Sequence, residues 1–452
     1  MPFEAGVHLQ RAGFEISIWF DGDAAHLPRD AQAAHAKWIA AGGTCSNALP
    51  TPEHFDLIID GLFGIGLKRA LGARFSHIVE RINHAAARAR VPVLSLDVPS
   101  GIDADTGRVP GDLPACAIRA TRTLTFIADK PGLHTLDGPD HAGVIEVASL
   151  DLRFDPPAEA GRLTSRNDFA ALLAPRQRNT HKGSYGALAV FGGARGMTGA
   201  ALLAGRAALK LGAGKVFIGL VDDQAFTCDP LQPELMLRAA NALLEEDSSA
   251  AVVGPGLGSS IAAQQLLKAT LALSIPLVLD ADALNLIGAD VALAKLTTER
   301  GAATVMTPHP LEAARLLGVS TAEIQHDRIA AAKEIARRYR AAVVLKGAGS
   351  VIASPEGRWW INPTGNPGMA SAGMGDVLAG IAGAFFAQHH AAKSLGTRHS
   401  STDTSLQPLV GAVFLHGAAA DSLVARGAGP VGLTASEVID EARALWNAWH
   451  QA

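Results

Sequence analysis

Short runs of β-branched and leucine residues alternate with alanine-rich stretches along most of this sequence. Such alternation is typical of a parallel sheet whose crossover connections are helices. The pattern therefore predicts an α/β protein, with strands at residues 14–20, 57–59, 91–96, 124–127 and 144–147, and again at 188–191, 216–221, 251–253, 277–279, 304–306, 343–345 and 351–353.

The alternation is interrupted between residues 151 and 165, where the periodicity is lost and Pro156 is followed by Pro157. This combination indicates a linker. A chain of 452 residues has room for two α/β domains. We therefore predict one domain over residues 1–155 and a larger one over residues 156–452, with a polar insertion at residues 394–407.

Composition excludes several classes of function. The formal charge is -4 and only 18% of the residues are charged, which argues against a nucleic-acid partner and against a disordered chain. Cys45, Cys116 and Cys228 form no CxxC pair, so neither a disulfide framework nor a zinc site is expected. The start lacks the pattern of a signal peptide, and the apolar run at 377–387 is too short to span a membrane. A protein of the reducing cytoplasm, without a membrane partner, fits best.

Two motifs of the first domain follow predicted strands. Asp60 precedes a loop that contains Gly64 and Gly66, and Asp97 and Ser100 follow a second strand. Ligands of open α/β sheets bind at the carboxyl ends of strands. The oxygen atoms of the second motif suit a hard cation or a sugar hydroxyl. The glycine loop could also be a plain tight turn, and Asp103 and Asp105 could simply close a turn.

Glycine-rich loops recur in the second domain. They lie at residues 181–186, at 192–199 before a predicted helix at 200–211, at 254–258, and at 346–350. Each could be an ordinary turn, but a glycine loop between a strand and a helix also lets a phosphate approach the backbone. Their repetition within one domain favours phosphate binding.

Acidic and basic side chains accompany these loops. Asp280 and Asp282 close one predicted strand, and His309 follows the next strand between two prolines. Proline restricts the backbone, so His309 is held at the same edge of the sheet as the loops. Arg315 lies one and a half helical turns further on, close enough to share an anion with His309.

The sharpest motif runs from Asn366 to Asp376 and leads directly into an apolar helix at 377–388. Its small residues let the backbone close around phosphates, and the helix amino terminus supplies unpaired N–H groups. Asp376 can then serve as a base. Aspartate is also a favoured helix cap, but a cap does not require the run of small residues before it.

The segments DGLFGIGLKRA and LSLDVPSGIDADTG resemble the epimerase domain of NAD(P)H-hydrate repair enzymes, a Rossmann-like three-layer αβα fold. The resemblance implies a potassium ion held by Asp60 and Ser100, and a catalytic Asp97 that acts on the nicotinamide ring. It also implies that the substrate is bound by Asp97 and by Gly64, Ile65, Gly66, Leu67, Lys68, Arg69 and Ala70. The family carries an Asn-Asn-Gly-Gly-Asp-Gly loop and a first strand that this sequence lacks, so we expect an incomplete domain with impaired epimerase activity.

The motifs HKGSYG, GGARGMTGA, GPGLG, TPHPLEAARLL, KGAGS and NPGMASAGMGD are similar to those of the ribokinase-like dehydratase domain of the same repair system, in the family's order. Leu311 and Ser350 depart from the family's usual glycine and threonine. The resemblance implies that Asp376 is catalytic and helps to bind the hydrated dinucleotide with Ala200, Gly258, His309, Pro310, Leu311, Glu312, Ala313, Ala314 and Arg315. The nucleotide would be held by Lys346, Gly347, Ala348, Gly349, Ser350, Asn366, Pro367, Gly368, Met369, Ala370, Ser371, Ala372, Gly373, Met374 and Gly375.

The residue patterns predict a two-domain α/β protein with a phosphate-rich ligand in the second domain, and the resemblance implies an enzyme that dehydrates the S epimers of hydrated NADH and NADPH (NADHX and NADPHX) at the expense of ADP, or of ATP, with magnesium. A homo-oligomer is expected. The alternative is a ribokinase-like kinase of a small molecule with a non-catalytic amino-terminal binding domain, because the same loops would serve phosphoryl transfer equally well. The first domain could also serve only in binding or oligomerisation.

Overall fold

The computed structural model describes residues 2–111, 116–152, 155–157, 159–222, 227–394 and 406–451. The chain divides into two compact units, Met1–Pro156 and Pro157–Ala452. Most of the predicted polar insertion at 394–407 lies outside the described residues. Both units contain parallel strands joined by helices, which confirms the α/β prediction.

The first unit contains two small parallel sheets. Strands β1 and β2 form one, and β3, β4, β5 and β6 form the other in that order. The strands are β1 Ile18–Trp19, β2 Cys45–Ser46, β3 Ile58–Asp60, β4 Val93–Leu96, β5 Arg122–Phe126 and β6 Val144–Ala148, and the helices are α1 Pro2–Arg11, α2 Arg29–Ala40, α3 Ala73–Ala89 and α4 Gly138–Ala142.

The predicted strand at 14–20 is mostly wrong, because only Ile18 and Trp19 pair, and they pair with a two-residue strand that the sequence did not reveal. The open edges of β1 and β3 line one apolar cavity of about 430 Å³. A strand with a partner on one side only has few backbone hydrogen bonds to define its ends, so β1 stays short.

The second unit is built around one ten-stranded sheet. Its strands are β7 Arg162–Leu163, β8 Ala187–Gly192, β9 Lys215–Leu220, β10 Met236–Ala239, β11 Ala250–Val253, β12 Leu277–Leu279, β13 Thr304–Met306, β14 Ala342–Leu345, β15 Ser350–Ala353 and β16 Trp359–Asn362. Its helices are α5 Thr198–Lys210, α6 Ala240–Leu243, α7 Ile261–Leu271, α8 Asp282–Ala289, α9 Val291–Thr298, α10 Pro310–Leu317, α11 Thr321–His326, α12 Arg328–Tyr339, α13 Met374–Ser394, α14 Gln407–Ala425 and α15 Ala435–Gln451.

The strand order is β10-β9-β8-β11-β12-β13-β14-β15-β16-β7. The strands from β10 to β14 are parallel, whereas β15 runs antiparallel to β14 and to β16. Strands β7, β10 and β16 were not predicted, and the predicted linker therefore ends too late. Strand β7 pairs with β16, almost 200 residues away, so no local pattern could reveal it.

Helices cover both faces of this sheet. In β8 and β11, Val190 and Val252 face the layer formed by α5, α13, α14 and α15. Their neighbours Phe191 and Val253 face the layer that contains α7, α8, α10 and α12. Strands buried on both faces read as continuous apolar runs, which is why the sequence revealed them.

Among the described residues, α14 is the one helix that is long and apolar enough to cross a membrane. Its apolar window is 67% buried inside the structure, as in the core helix of a globular protein. The sequence prediction considered only the apolar run at 377–387 and did not identify α14.

Candidate active sites

The carboxyl ends of β12, β13 and β14 bring three side chains together. The Nζ atom of Lys346 lies 2.7 Å from Oδ1 of Asp280, and the hydroxyl of Thr307 donates to the same oxygen at 2.8 Å. Asp280 and Thr307 are buried, so this ion pair is held away from water. Parallel neighbouring strands place their ends at one edge of the sheet, which is why residues 66 positions apart meet here.

Asp282 follows Asp280 and begins α8. The residue between them, Ala281, has a φ of 49°, in the left-handed region that non-glycine residues rarely adopt. This turn directs the two carboxylates differently, and Oδ2 of Asp282 accepts the backbone N–H of Gly258 at 2.8 Å. Strain of this kind persists where the surroundings fix it, and it clusters at functional sites.

His309 forms the N-cap of α10. Its ring Nδ1 accepts the backbone N–H groups of Leu311 and Glu312, and the backbone N–H of His309 donates to Oε2 of Glu312 at 2.8 Å. Burial, and then the charge of Lys346, lower the pKa of His309. The ring is therefore fixed at the site edge as a neutral group with Nδ1 engaged, and 46% of its side chain is exposed.

Glu312 was predicted only as part of the loop after His309, but the structure gives it a distinct environment. Its side chain is buried, and Oε2 lies 3.9 Å from Nζ of Lys346. Burial raises the pKa of Glu312 to about 7, against the opposing charge of Lys346. Near neutral pH this carboxyl can exchange its proton.

Asp376 lies in the first turn of α13, since the helix begins at Met374. It therefore does not occupy the capping position that was the alternative explanation for it. Burial, with a further contribution from Asp280 and against Lys346, raises the pKa of Asp376 to about 6. A carboxylate with this pKa is ionised at neutral pH and is a stronger base than an ordinary aspartate.

The backbone before Asp376 passes directly over the ion pair. A Cβ added at Gly375 would lie 3.3 Å from Nζ of Lys346 and 3.5 Å from Oδ2 of Asp280. The absence of a side chain at Gly375 thus lets the backbone pass close to the ion pair, and the predicted closure of this loop around phosphates stays a prediction. The amino terminus of α13 adds its positive potential at the same point.

The predicted nucleotide loops are anchored by residues that the sequence did not single out. Asp421 on α14 accepts the N–H of Gly365 at 2.8 Å and the side-chain amide of Asn366 at 2.9 Å. Arg328 lies buried below the 346–350 loop and donates to the carbonyl of Leu345 at 3.1 Å. The sequence could have indicated Asp421, because it is an acidic residue within an otherwise apolar helix.

The predicted glycine loops at 192–199 and 254–258 pack on each other. The N–H of Ala194 donates to the carbonyl of Gly256 at 2.6 Å. A Cβ at Gly256 would lie 3.2 Å from Cβ of Ala200. The structure thus brings together the regions of Ala200 and Gly258. Arg315 donates from one guanidinium nitrogen to Oδ1 of Asn285 at 2.6 Å, and its sharing of an anion with His309 stays a prediction.

In the first unit, Asp60 is buried at the end of β3. Its carboxylate accepts the hydroxyls of Ser95 and Ser100 and the N–H groups of Ser100 and Leu62. Burial raises the pKa of Asp60, and these four hydrogen bonds oppose that effect. Four donors use the acceptor positions of a carboxylate, so Asp60 has no oxygen left for a cation in this arrangement.

Asp97 is the first residue after β4 and begins the turn there, with a φ of 72°. It lines a pocket of about 440 Å³ with Lys130, whose Nζ lies 2.6 Å from Oδ1 of Asp97. Lys130 was not predicted as a site residue. The sequence could have indicated it, because Lys130 lies four residues beyond β5, in the connection at the carboxyl end of that strand.

The predicted phosphate loop at 64–70 has free space beside two of its glycines. A Cβ added at Gly64 or at Gly66 would meet no atom within 4 Å. Lys68 of this loop is bound by Asp103 at 3.0 Å and Asp105 at 2.6 Å. Asp103 also accepts two backbone N–H groups and closes its turn, as the alternative interpretation held. A substrate phosphate would have to compete with both carboxylates for Lys68.

Comparisons with known proteins agree with the two resemblances. A family model described as NAD(P)H-hydrate dehydratase matches residues 188–443, and one described as YjeF-related protein N-terminus matches residues 2–132. The bifunctional NAD(P)H-hydrate repair enzymes Nnr of Escherichia coli and Coxiella burnetii are each 37% identical over 445 residues, which is 96% of this chain and 80% and 85% of those proteins.

Among solved structures, the ADP/ATP-dependent NAD(P)H-hydrate dehydratase from Bacillus subtilis, co-crystallised with ATP and Mg²⁺, superimposes with a TM-score of 0.54 at 32% identity. The match covers 65% of this chain and all of that one. A ribokinase-like superfamily protein from Enterococcus faecalis has the same fold, with a TM-score of 0.53 at 24% identity and coverage of 67% of this chain and all of that one. Taken together, the two family models, the level of identity and the shared fold show that this chain belongs to the bifunctional NAD(P)H-hydrate repair enzymes and that its second unit belongs to the NAD(P)H-hydrate dehydratase family.

Proposed function

We propose that the second unit dehydrates the S epimers of NADHX and NADPHX with consumption of ADP, and that Asp376 is its catalytic base. One observation carries the proposal: Asp376, whose pKa is raised to about 6, lies in the first turn of α13 beside the Lys346–Asp280 pair. A poised base, a partly buried cation and a helix amino terminus are the groups that transfer of a phosphoryl group to a hydroxyl requires.

The chemistry follows from the substrate. A ring hydroxyl is a poor leaving group in water, and phosphorylation converts it into a good one. Asp376 would take the proton of the hydroxyl as its oxygen attacks the terminal phosphorus of ADP, and AMP leaves. Elimination then releases phosphate from one ring carbon and a proton from the neighbouring carbon to water, which restores the double bond of the reduced ring.

The nucleotide would be held between the loop that begins with Lys346 and the loop from Asn366 to Gly375. Lys346 supplies positive charge, and Asp421 holds Gly365 and Asn366 in place. The hydrated dinucleotide would lie along Ala200, Gly258 and the segment from His309 to Arg315. Such a division leaves Asp376 between the two ligands.

Magnesium would neutralise charge on the transferred phosphoryl group. No group of three or more His, Cys, Asp or Glu side chains that could hold a metal is found among the described residues. Magnesium in nucleotide sites is commonly bound by one or two carboxylates together with the phosphates. Asp280, which is paired with Lys346, and Asp282, which begins α8 two residues later, are the carboxylates that could serve in this way.

We also propose that the first unit interconverts the R and S epimers at the pocket of Asp97, with the substrate along Gly64 to Ala70. The relatives' name, bifunctional repair enzyme, supports a second activity. Potassium at Asp60 and Ser100 stays a prediction, and the four donors that occupy Asp60 do not favour it. The impaired rate expected from the sequence also stays a prediction.

The test of the main proposal is recovery of the absorbance of reduced nicotinamide from purified S epimer, with and without ADP and Mg²⁺. We expect recovery only with both, and AMP and phosphate formed in equal amounts with NADH. Recovery without nucleotide would refute the mechanism. A stable phosphorylated product that accumulates without recovery would favour the small-molecule kinase.

A further inference from the structure

The ammonium group of Lys130 is built into the Asp97 pocket. It donates to Oδ1 of Asp97 at 2.6 Å and to the carbonyl of Phe126 at 2.7 Å. Its side chain is 16% exposed, and that of Asp97 is 12% exposed. An ammonium group has three N–H donors. In the described part of the chain two of them have these partners, so the third remains for a ligand in the pocket.

The two oxygens of Asp97 differ in the same way. Oδ1 accepts from Lys130, from the hydroxyl of Thr125 and from the N–H of Phe126. Oδ2 has no hydrogen-bond partner among the residues that the structure describes. It is also not one of the enclosed, unpartnered polar atoms, so a ligand can reach it. One carboxylate oxygen and one N–H group are thus free beside each other at the pocket.

The other charged group of the pocket is already engaged. Asp129 accepts from the ring of His134 at 2.8 Å and from the backbone N–H of Lys130. The pocket walls are otherwise apolar, with Ile65 and Leu150 among them. Lys130 is therefore paired with Asp97 alone, and a ligand would find one cation and one anion on an apolar background.

We propose that Lys130 is the proton donor and acceptor of the epimerisation, with Asp97 as the group that stabilises positive charge on the ring. This inference rests on the proposed epimerase function of the first unit. The hydrate carries its hydroxyl on the carbon bonded to the ring nitrogen, and inversion requires the C–O bond at that carbon to break and form again.

The proposed step balances without another reagent. Lys130 gives a proton to the hydroxyl oxygen, the C–O electron pair leaves with water, and the nitrogen lone pair forms a carbon–nitrogen double bond. The free oxygen of Asp97 lies where it can stabilise this cationic ring. Water then adds to the opposite face of the ring and returns its proton to the neutral amine of Lys130.

The experiment follows the conversion of purified R epimer of NADPHX into S epimer by chromatography, with the full chain in excess and without nucleotide. We expect Lys130→Met to lower the rate at least about a hundredfold, the lower range for acid–base catalysis. Lys37→Met is the matched control, because it removes a lysine ion-paired with Glu4 elsewhere in the same unit. It should keep the wild-type rate.

Lys130→Arg separates proton transfer from charge. Arginine keeps the positive charge and can pair with Asp97, but it does not release its proton. We expect this variant to fold with a wild-type melting temperature and to stay as slow as Lys130→Met. A rate near that of the wild type would show that Lys130 acts only as a charge and would overturn the inference, even if Lys130→Met itself failed to fold.

A third variant restores the amine. Lys130→Cys treated with 2-bromoethylamine carries an aminoethyl side chain that is a weaker base than lysine. We expect recovered activity whose alkaline limit lies at lower pH, with the wild type treated alongside because Cys45, Cys116 and Cys228 are free thiols. The titratable groups that line the pocket with this amine are Asp97, which is paired with it, and Asp129, the preceding residue in the chain.

The outcomes are distinguishable. If the wild type only matches the spontaneous rate, the proposed epimerase function fails and this inference falls with it. If the wild type is faster and Lys130→Arg or Lys130→Met keeps its rate, the epimerase function stands and only the role of Lys130 is refuted. An unchanged alkaline limit in the aminoethyl variant would likewise refute proton transfer by this residue.

Discussion

Replacing Asp376 by asparagine should make the protein more stable and, at the same time, almost inactive. The pKa of Asp376 is raised to about 6 from an ordinary value of 3.8, chiefly by burial. A carboxyl whose pKa is higher in the folded state binds its proton more tightly there than in the unfolded chain. Its ionisation therefore costs stability, and this cost is absent below about pH 4, grows up to about pH 6 and is complete above it.

The magnitude follows from the difference between the two pKa values. About two pH units correspond to about 3 kcal/mol at most, since each unit is worth about 1.4 kcal/mol. Asparagine has a similar shape and no charge, so it avoids this cost. For a unit of nearly 300 residues, we expect the melting temperature at pH 8 to rise by roughly 2 to 4 °C for each kcal/mol gained. At pH 4 the rise should vanish.

Activity should move in the opposite direction. Asparagine cannot accept the substrate's proton, and loss of a general base lowers turnover by at least about a hundredfold. Nucleotide affinity should change little, because the backbone of the loop is kept. A wild-type pH profile should show turnover that falls tenfold per pH unit below about pH 6, where Asp376 becomes protonated.

The measurements are thermal unfolding between pH 4 and pH 8, together with turnover of S epimer with ADP. Asp247→Asn is the matched control, since Asp247 is exposed and remote from the site, and it should change neither quantity. A variant that loses stability would show that Asp376 serves the fold of α13. Near-normal turnover in the asparagine variant would refute its role as the base.

Three further outcomes are expected. Burial raises the pKa of Glu312 to about 7, so Glu312→Gln should raise the melting temperature at pH 8 and leave it unchanged at pH 4; an equal effect at both would contradict this reasoning. Gly375→Ala adds a methyl group 3.3 Å from Nζ of Lys346, and calorimetric titration should show several-fold weaker ADP binding in a normally folded protein. Asp421→Ala leaves two donors without their acceptor, which should raise the KM for ADP about tenfold, with kcat preserved; an unchanged KM would show that the loop holds its shape without it.

Local patterns in the sequence determined the strands of the second unit most accurately. Strands β12 and β13 begin and end at the predicted residues, Leu277–Leu279 and Thr304–Met306. Both are short apolar runs closed by polar residues, and a strand buried on both faces needs no partner in the sequence to be recognised. The same reasoning fails for β1, which has no buried neighbour on one side.

The sequence also indicated which loops lie at the ligand edge of the sheet. Glycine and proline after a strand set the local backbone conformation by themselves, so they can be recognised without knowledge of distant partners. It could not tell how their side chains pair. Asp280 with Lys346, Asn366 with Asp421 and Asp97 with Lys130 are separated by 33 to 66 residues. Only the parallel sheets and the helices packed on them bring such residues within hydrogen-bond distance.

Electrostatics was decided by the tertiary structure alone. The sequence names Asp376, Glu312 and Asp60 as carboxylates, but their raised pKa values come from burial. Burial depends on what the rest of the chain packs around each group, and desolvation is the largest cause of the shift at all three carboxyls. The types of chemical group were thus written in the sequence, whereas the proton affinity of each one arose only on folding.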